Sequence, residues 1–415
     1  MRTFVRRRMN LLTFILVIAI LFGMTDFLTE RYPRLQRDIF YIAWFVLAFL
    51  FAIKYYYGPD ISSYVPFYET VPSVAQIIAE PDELRFGFEP GFAVFCRVLK
   101  DLGLSYYMMT LVLTCMYFLT ILVLFRRIER KRTFALAILV VLDYNIICYE
   151  FRQCLAVIAF LWLVICLDKK SYLWAIVCAI CAVLCHKSGL VVVVPTLIYH
   201  IIHQSESLRS LSQLLLVLLV LMFLLPMTNI SFDFLSRLPL SHRVLYSIEH
   251  HLSLGRQVQV VFILYLIVLA CLAHFAQYTR SRKEAIATAA IIGLVCVVVF
   301  YQYYYLLNRI RSYFTPLVIV FLFNRIQTAE DEYVRIPYGA LVKQMTCAVI
   351  MLYTVHATYA VYRSGLVLKN KVNDTCTVFD LIDHRAVDVQ NSQMKRARAF
   401  WDEDYMQHEN NKIKK

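Results

Sequence analysis

The sequence predicts an all-α, polytopic integral membrane protein with about twelve transmembrane helices, ten to thirteen being the range its hydropathy allows. Three observations predict it. Of 415 residues, 60% are hydrophobic and 17% charged, against about 45–50% and about 25% in soluble globular domains. At about 20 apolar residues per crossing, the roughly 249 hydrophobic residues suffice for about twelve spans, which excludes a soluble two-domain enzyme. With only 10 Gly and 11 Pro, and without the alternating ten-residue segments of an outer-membrane barrel, the spans are helices.

The runs follow in order. The first, 11–24, comes after Arg2, Arg6, Arg7 and Arg8. It resembles the core of a signal peptide but lacks a small-x-small cleavage site, so it reads as an uncleaved anchor. The second is 39–53. The next ten are 105–125, 134–148, 155–167, 172–185, 190–202, 211–226, 258–275, 285–301, 315–323 and 340–361; the short ones are tilted, broken or extended by aromatic flanks. A transmembrane domain over 1–363 is therefore expected, with a polar, acid-leaning external segment at 54–104 and an amphipathic external loop at 227–257. A mixed-charge tail, 364–415, completes the chain.

The net charge of +13 would suggest nucleic acid in a soluble protein. Here the basic residues sit in short loops between apolar runs and lack the aromatic interleaving of a base-stacking surface, so no nucleic-acid partner is expected. They read as topology determinants. Placing 126–132, 168–170 and 280–283 in the cytoplasm satisfies the positive-inside rule at three loops of one parity. The same parity puts the N-terminal arginines outside, against the rule; an interfacial or re-entrant first segment is the alternative.

Most of the twelve cysteines lie in apolar runs, where a thiol behaves as a small hydrophobe, and no disulfide framework is expected. Cys178, Cys181 and Cys185, followed by His186, superficially resemble a metal site. Their spacing also describes one small-residue packing face of a membrane helix, the preferred reading, so neither metal nor cofactor is expected.

Ionisable groups near membrane depth are costly and mark function by default. With this orientation a set gathers at the external helix ends: Asp60 and Tyr64, Glu89, Arg152 and Gln153, His186 with Lys187 and Ser188, and Arg309 with Arg311. Each has a plainer alternative. Lys187 can snorkel, Asp60 and Glu89 sit in turn-forming Gly-Pro-Asp and Glu-Pro-Gly sequences, and the arginines and His186 can be interfacial. Tyr301, Tyr303, Tyr304 and Tyr305 read as an aromatic belt. Convergence on one face favours function. Arginine forks bind phosphate oxygens bidentately, a carboxylate or imidazole beside them can take a proton from an attacking hydroxyl, and aromatic and acidic loop residues suit sugars. The set is compatible with glycosyl transfer from a polyprenyl-diphosphate donor.

The order Gly58-x-Asp60-x-x-x-Tyr64, Glu89-Pro90-Gly91-Phe92, Phe151-Arg152-Gln153-x-Leu155-Ala156, His186-Lys187-Ser188-Gly189-Leu190 resembles the EpsG family of bacterial membrane proteins, which is similar to Wzy polysaccharide polymerases. The resemblance spans roughly residues 1–365. This chain has Pro59 and Ile61 where the family usually has Thr and Tyr.

The resemblance implies a polymerase of capsule, exopolysaccharide or O-antigen repeat units at the outer face of the bacterial inner membrane. Donor and acceptor would both be oligosaccharides on undecaprenyl diphosphate, and a chain-length regulator or other polysaccharide assembly proteins would be candidate partners. Arg152, Arg309 and Arg311 would contact the diphosphate without a metal. His186 or Asp60 would be the base, and Glu89 would position sugar beside Gln153 and Tyr64. Two other classes stand beside it. A flippase of lipid-linked oligosaccharide is kept open by Asp143 inside an apolar run, although no repeat is visible. A non-catalytic scaffold would leave the arginines and His186 without a purpose.

Overall fold

The computed structural model describes residues 11–54, 58, 60–81, 84, 87–204, 285–299 and 304–332, with scattered positions between 388 and 399. Several expectations lie outside the described residues: the runs at 211–226, 258–275 and 340–361, the loops at 227–257 and 280–283, the N-terminal arginines, Tyr301 and Tyr303, and most of the tail. Every element among the described residues is a helix, in agreement with the all-α expectation.

These helices are α1 (Leu11–Leu28), α2 (Pro33–Ala52), α3 (Ile61–Thr70), α4 (Val74–Ala79), α5 (Pro90–Asp101), α6 (Tyr106–Phe125), α7 (Arg132–Cys148), α8 (Phe151–Asp168), α9 (Tyr172–Cys185), α10 (Ser188–Gln204), α11 (Ala285–Val299) and α12 (Tyr304–Glu332). Local chemistry sets several of their starts. Pro33 and Pro90 occupy first-turn positions where a missing N–H costs nothing. Ser105 accepts from the backbone N–H of Met108, and Ser73 and Gln76 form a reciprocal capping box.

Of the described helices, α2, α6 and α8 are long and apolar enough to cross a membrane, and shorter apolar stretches occupy Phe14–Leu28, Tyr172–Cys185 and Ser188–Ile201. On α2, Ile42, Phe45 and Phe49 form an exposed apolar row, a surface suited to lipid rather than water.

The chain divides into two compact units, one comprising Met1–Ile158, Leu184–His186 and Thr354–Lys415, the other Ala159–Val183 and Lys187–Tyr353. In the first, α1, α2, α6 and α7 pack on one another, and α3 packs on α5 and α6. Trp44 donates its indole N–H to the Phe118 carbonyl at 2.8 Å, and Tyr107 donates to the Ala52 carbonyl at 3.2 Å, so α2 and α6 run antiparallel. α1 is a full helix antiparallel to α7: Asp26 accepts from the Phe134 backbone N–H at 2.8 Å, and a Cβ on Gly23 would lie 2.9 Å from that of Ala137. Asp26 thereby caps α7 from a neighbouring helix, because Lys131, in the left-handed region at φ 57°, gives no side-chain cap. α7 is itself interrupted at buried Asp143, whose φ/ψ of −115°/18° is not helical.

In the second unit, α10, α11 and α12 pack pairwise. Gly293 of α11 lies directly against the Phe314 ring of α12, leaving no room for a Cβ. Asp168 at the end of α8 accepts from the Ala285 backbone N–H at 3.3 Å, capping α11.

Three differences from the sequence expectations have physical causes. The 54–104 segment holds three helices, because Tyr64, Phe67, Phe88 and Phe92 bury one another's rings. The run expected at 315–323 belongs to the much longer α12, since polar Asn308, Arg309 and Arg311 interrupt hydropathy without interrupting the helix. The small-residue face of α9 is formed by Ala175, Ala179 and Ala182, all buried. Of the expected cysteines, Cys185 is buried, Cys178 partly buried and Cys181 exposed; at about 100° of rotation per residue, Cys181 stands farthest round the helix from those alanines.

Candidate functional site

The first unit brings several of the expected residues together around the first turn of α8. Arg152 donates from Nη1 to Oε2 of Glu89 at 2.9 Å and from Nε to the Tyr64 hydroxyl at 3.4 Å. Its guanidinium carbon lies 4.4 Å from the centroid of the Phe88 ring, within cation–π range. The arginine side chain is 25% exposed and that of Glu89 only 7%. The carboxylate is therefore the more deeply anchored partner, and the guanidinium is held through Nη1 and Nε.

Each group is delivered by a local device. Glu89 is the N-cap of α5, extended at φ/ψ −77°/146°, with Pro90 opening the helix. Tyr64 lies on α3, its ring against Phe88, Phe92 and Phe151 at centroid separations of 5.2, 5.7 and 5.2 Å. Burial pushes its phenol up to about 12, with the charge of Asp60 adding to the rise, so Tyr64 is a neutral hydrogen-bonding group and not a base. Asp60 caps α3 through its carbonyl, which accepts from Ser63 and Tyr64 at 3.0 Å each.

Gly58 has φ +96° and lies directly against Tyr149. Only a residue without a Cβ fits both demands. Gln153 is buried in the same turn as Arg152.

The His186 segment reaches this region through the backbone. A Cβ on Gly91 would stand 2.7 Å from the carbonyl carbon of Leu184 and 2.9 Å from the amide nitrogen of Cys185. α5 thus docks backbone to backbone on the end of α9, immediately before buried His186. Asp60, Tyr64, Glu89, Arg152, Gln153 and His186 therefore belong to one unit, whereas Lys187 and Ser188 belong to the other.

The Arg309 and Arg311 segment also belongs to the second unit. Arg309 and Arg311 are partly exposed on α12, flanking buried Ile310, and one turn on the Tyr313 hydroxyl shares a 2.9 Å hydrogen bond with Ser188. Lys187 is exposed, as a snorkelling lysine would be. Among the described residues, no group of three histidine, cysteine or carboxylate side chains has metal-binding geometry.

A family profile described as "EpsG family" matches residues 39–368, which is most of the chain and includes every residue of the candidate site. The chain belongs to the EpsG family. No curated protein and no solved structure matches it. Membership in EpsG, a family similar to polysaccharide polymerases, fits a role in polysaccharide biosynthesis, and the apolar helices fit a membrane protein. The EpsG match begins at residue 39, so α1 lies outside it.

Sequence reasoning missed the parts of the EpsG site that carry no charge. Phe88, the ring beneath Arg152, immediately precedes Glu89 and was legible only as an aromatic neighbour. Phe151 reads as part of an apolar helix start. Lys54, buried behind Phe151, stands at the junction of an apolar run and a polar loop, where a lysine is ordinarily a boundary marker.

Proposed function

We propose that the chain is a polysaccharide repeat-unit polymerase, a membrane glycosyltransferase with about twelve spans. It joins oligosaccharides carried on undecaprenyl diphosphate at the outer face of the bacterial inner membrane, in capsule, exopolysaccharide or O-antigen synthesis. One observation carries this reading: Arg152 is fixed by a buried carboxylate, a phenol and an aromatic ring while its side chain stays a quarter exposed. A preorganised arginine of this kind suits the charge that develops on a departing diphosphate.

In the reaction, a hydroxyl of the acceptor sugar attacks the anomeric carbon of the donor. The bond from that carbon to the diphosphate oxygen breaks, and the electron pair leaves with undecaprenyl diphosphate. The hydroxyl proton passes to His186 or Asp60. Arg152 meets the charge on the leaving group, Arg309 and Arg311 serve as further phosphate contacts, and Glu89, Gln153 and Tyr64 shape the place of the sugar.

A second reading, a flippase of the same lipid-linked oligosaccharide, is favoured by the interruption of α7 at Asp143, since broken helices with buried ionisable residues are common in transporters. Deleting the gene separates the two. Loss of a polymerase leaves single lipid-linked repeat units exposed on the outer leaflet, whereas their confinement to the cytoplasmic leaflet would replace this reading with the flippase.

A further inference from the structure

Lys54 is a buried cation that the proposed chemistry does not use. It is 3% exposed and donates to the Thr114 hydroxyl at 2.6 Å and the Phe51 carbonyl at 3.2 Å. Its ammonium also lies 5.8 Å from the centroid of Phe151. No carboxylate forms an ion pair with it among the described residues.

Stability alone gives a weak reason for such a lysine. An ammonium taken from water without a counter-charge is costly, and favourable placement at the C-terminus of α2 returns only about 0.3–1 kcal/mol. What the burial achieves is contact with Phe151. That ring lies 5.2 Å from Tyr64 and 6.4 Å from Tyr106, and Phe151 is the residue before Arg152. From the end of α2 and from Thr114 within α6 the path therefore runs through Lys54 and Phe151 to two supports of the guanidinium, the first turn of α8 and the Tyr64 phenol. An aromatic layer of Phe151, Tyr64 and Phe88 has one cation behind it and another, Arg152, at its front.

We propose that Lys54 is a positioning residue for Arg152: by tying α2 and α6 to the Phe151 ring, it fixes the guanidinium over Phe88 and against Glu89. Its link to polymer formation rests on the reading of Arg152 as the diphosphate contact.

The test places 4-fluorophenylalanine at position 88 of the full chain and follows its 19F resonance, which reports the cation over that ring, alongside polymer made in cells. Arg152→Lys gives the reference displacement. Lys54→Met and Phe151→Leu are expected to displace the resonance in the same direction and Lys54→Arg to restore it, while polymer falls by between tenfold and about a hundredfold, as small misplacements of a positioned group do. A resonance unmoved in folded Phe151→Leu or Lys54→Met protein overturns the proposal whatever the polymer does. A displaced resonance with normal polymer upholds the positioning role and overturns the diphosphate reading instead.

Discussion

Arg152 and Glu89, sixty-three positions apart in sequence, form a 2.9 Å ion pair in which the glutamate side chain is 7% exposed and the arginine side chain 25%. The asymmetry gives the two residues different duties: Glu89 holds, and Arg152 is held ready.

Removing the holder should therefore be costly. Glu89→Ala is expected to lower the stability of the detergent-solubilised protein by about 2 kcal/mol, the scale of a hydrogen bond between charged groups, and Glu89→Gln by less, because the amide still accepts. Thermal unfolding reads both. Unchanged unfolding in Glu89→Ala would mean that the pair is not maintained in solution.

Gly91 is a steric requirement. Gly91→Ala puts a methyl 2.7–2.9 Å from the Leu184 and Cys185 backbone, and overpacking of this kind costs about 1–3 kcal/mol. Gly103→Ala, with open space around it but φ +77°, meets only the left-handed backbone penalty of about 1–2 kcal/mol. Both should lose stability, but Gly91→Ala should also reduce polymer, because it moves the chain leading into His186. Equal polymer from the two variants would contradict that docking.

Asp26 should be replaceable only by a residue that can cap. Asp26→Ala leaves the Phe134 N–H at the start of α7 without its acceptor and is expected to cost about 1–2 kcal/mol. Asp26→Asn should retain most of the stability. Equal thermal unfolding of the two variants would argue against the interhelical cap.

Tyr64 gives a pH signature. Burial raises its phenol to about 12, so above the usual tyrosine range near 10 the folded protein holds a proton that the unfolded chain has lost. That contribution to stability is whole below about pH 10 and disappears as pH rises through about 12. The tyrosinate absorbance difference between wild type and Tyr64→Phe should stay flat to about pH 10 and rise near 12. A rise centred at 10 would place Tyr64 in water.

Much of the membrane-helix pattern was legible because apolar runs record it directly: 172–185 coincides with α9 and 105–125 with α6. The N-terminal direction was harder. Charge counting does not reveal that the first run packs antiparallel to α7, because Asp26 and Gly23 meet residues more than a hundred positions away. Hydropathy did not reveal α3 and α5, since Pro66, Pro90 and interspersed charges dilute the aromatic residues that fold them. At the site, the residue types were legible from motif order, but the pairing of Arg152 with Glu89 was not, because tertiary packing across sixty-three positions leaves no periodic trace. Nor did charge alone mark Lys54, whose burial depends on Thr114 and Phe151 arriving from other helices.

The most direct test of the central claim is the length distribution of polysaccharide made by cells carrying Arg152→Lys, with the amount of the protein in the membrane measured alongside. Lysine keeps the charge but loses the fork. With about 3 kcal/mol of transition-state contact removed, about a hundredfold in rate, these cells should hold normal amounts of the protein, make almost no polymer and accumulate single lipid-linked repeat units. Polymer of normal amount and length from these cells would contradict it.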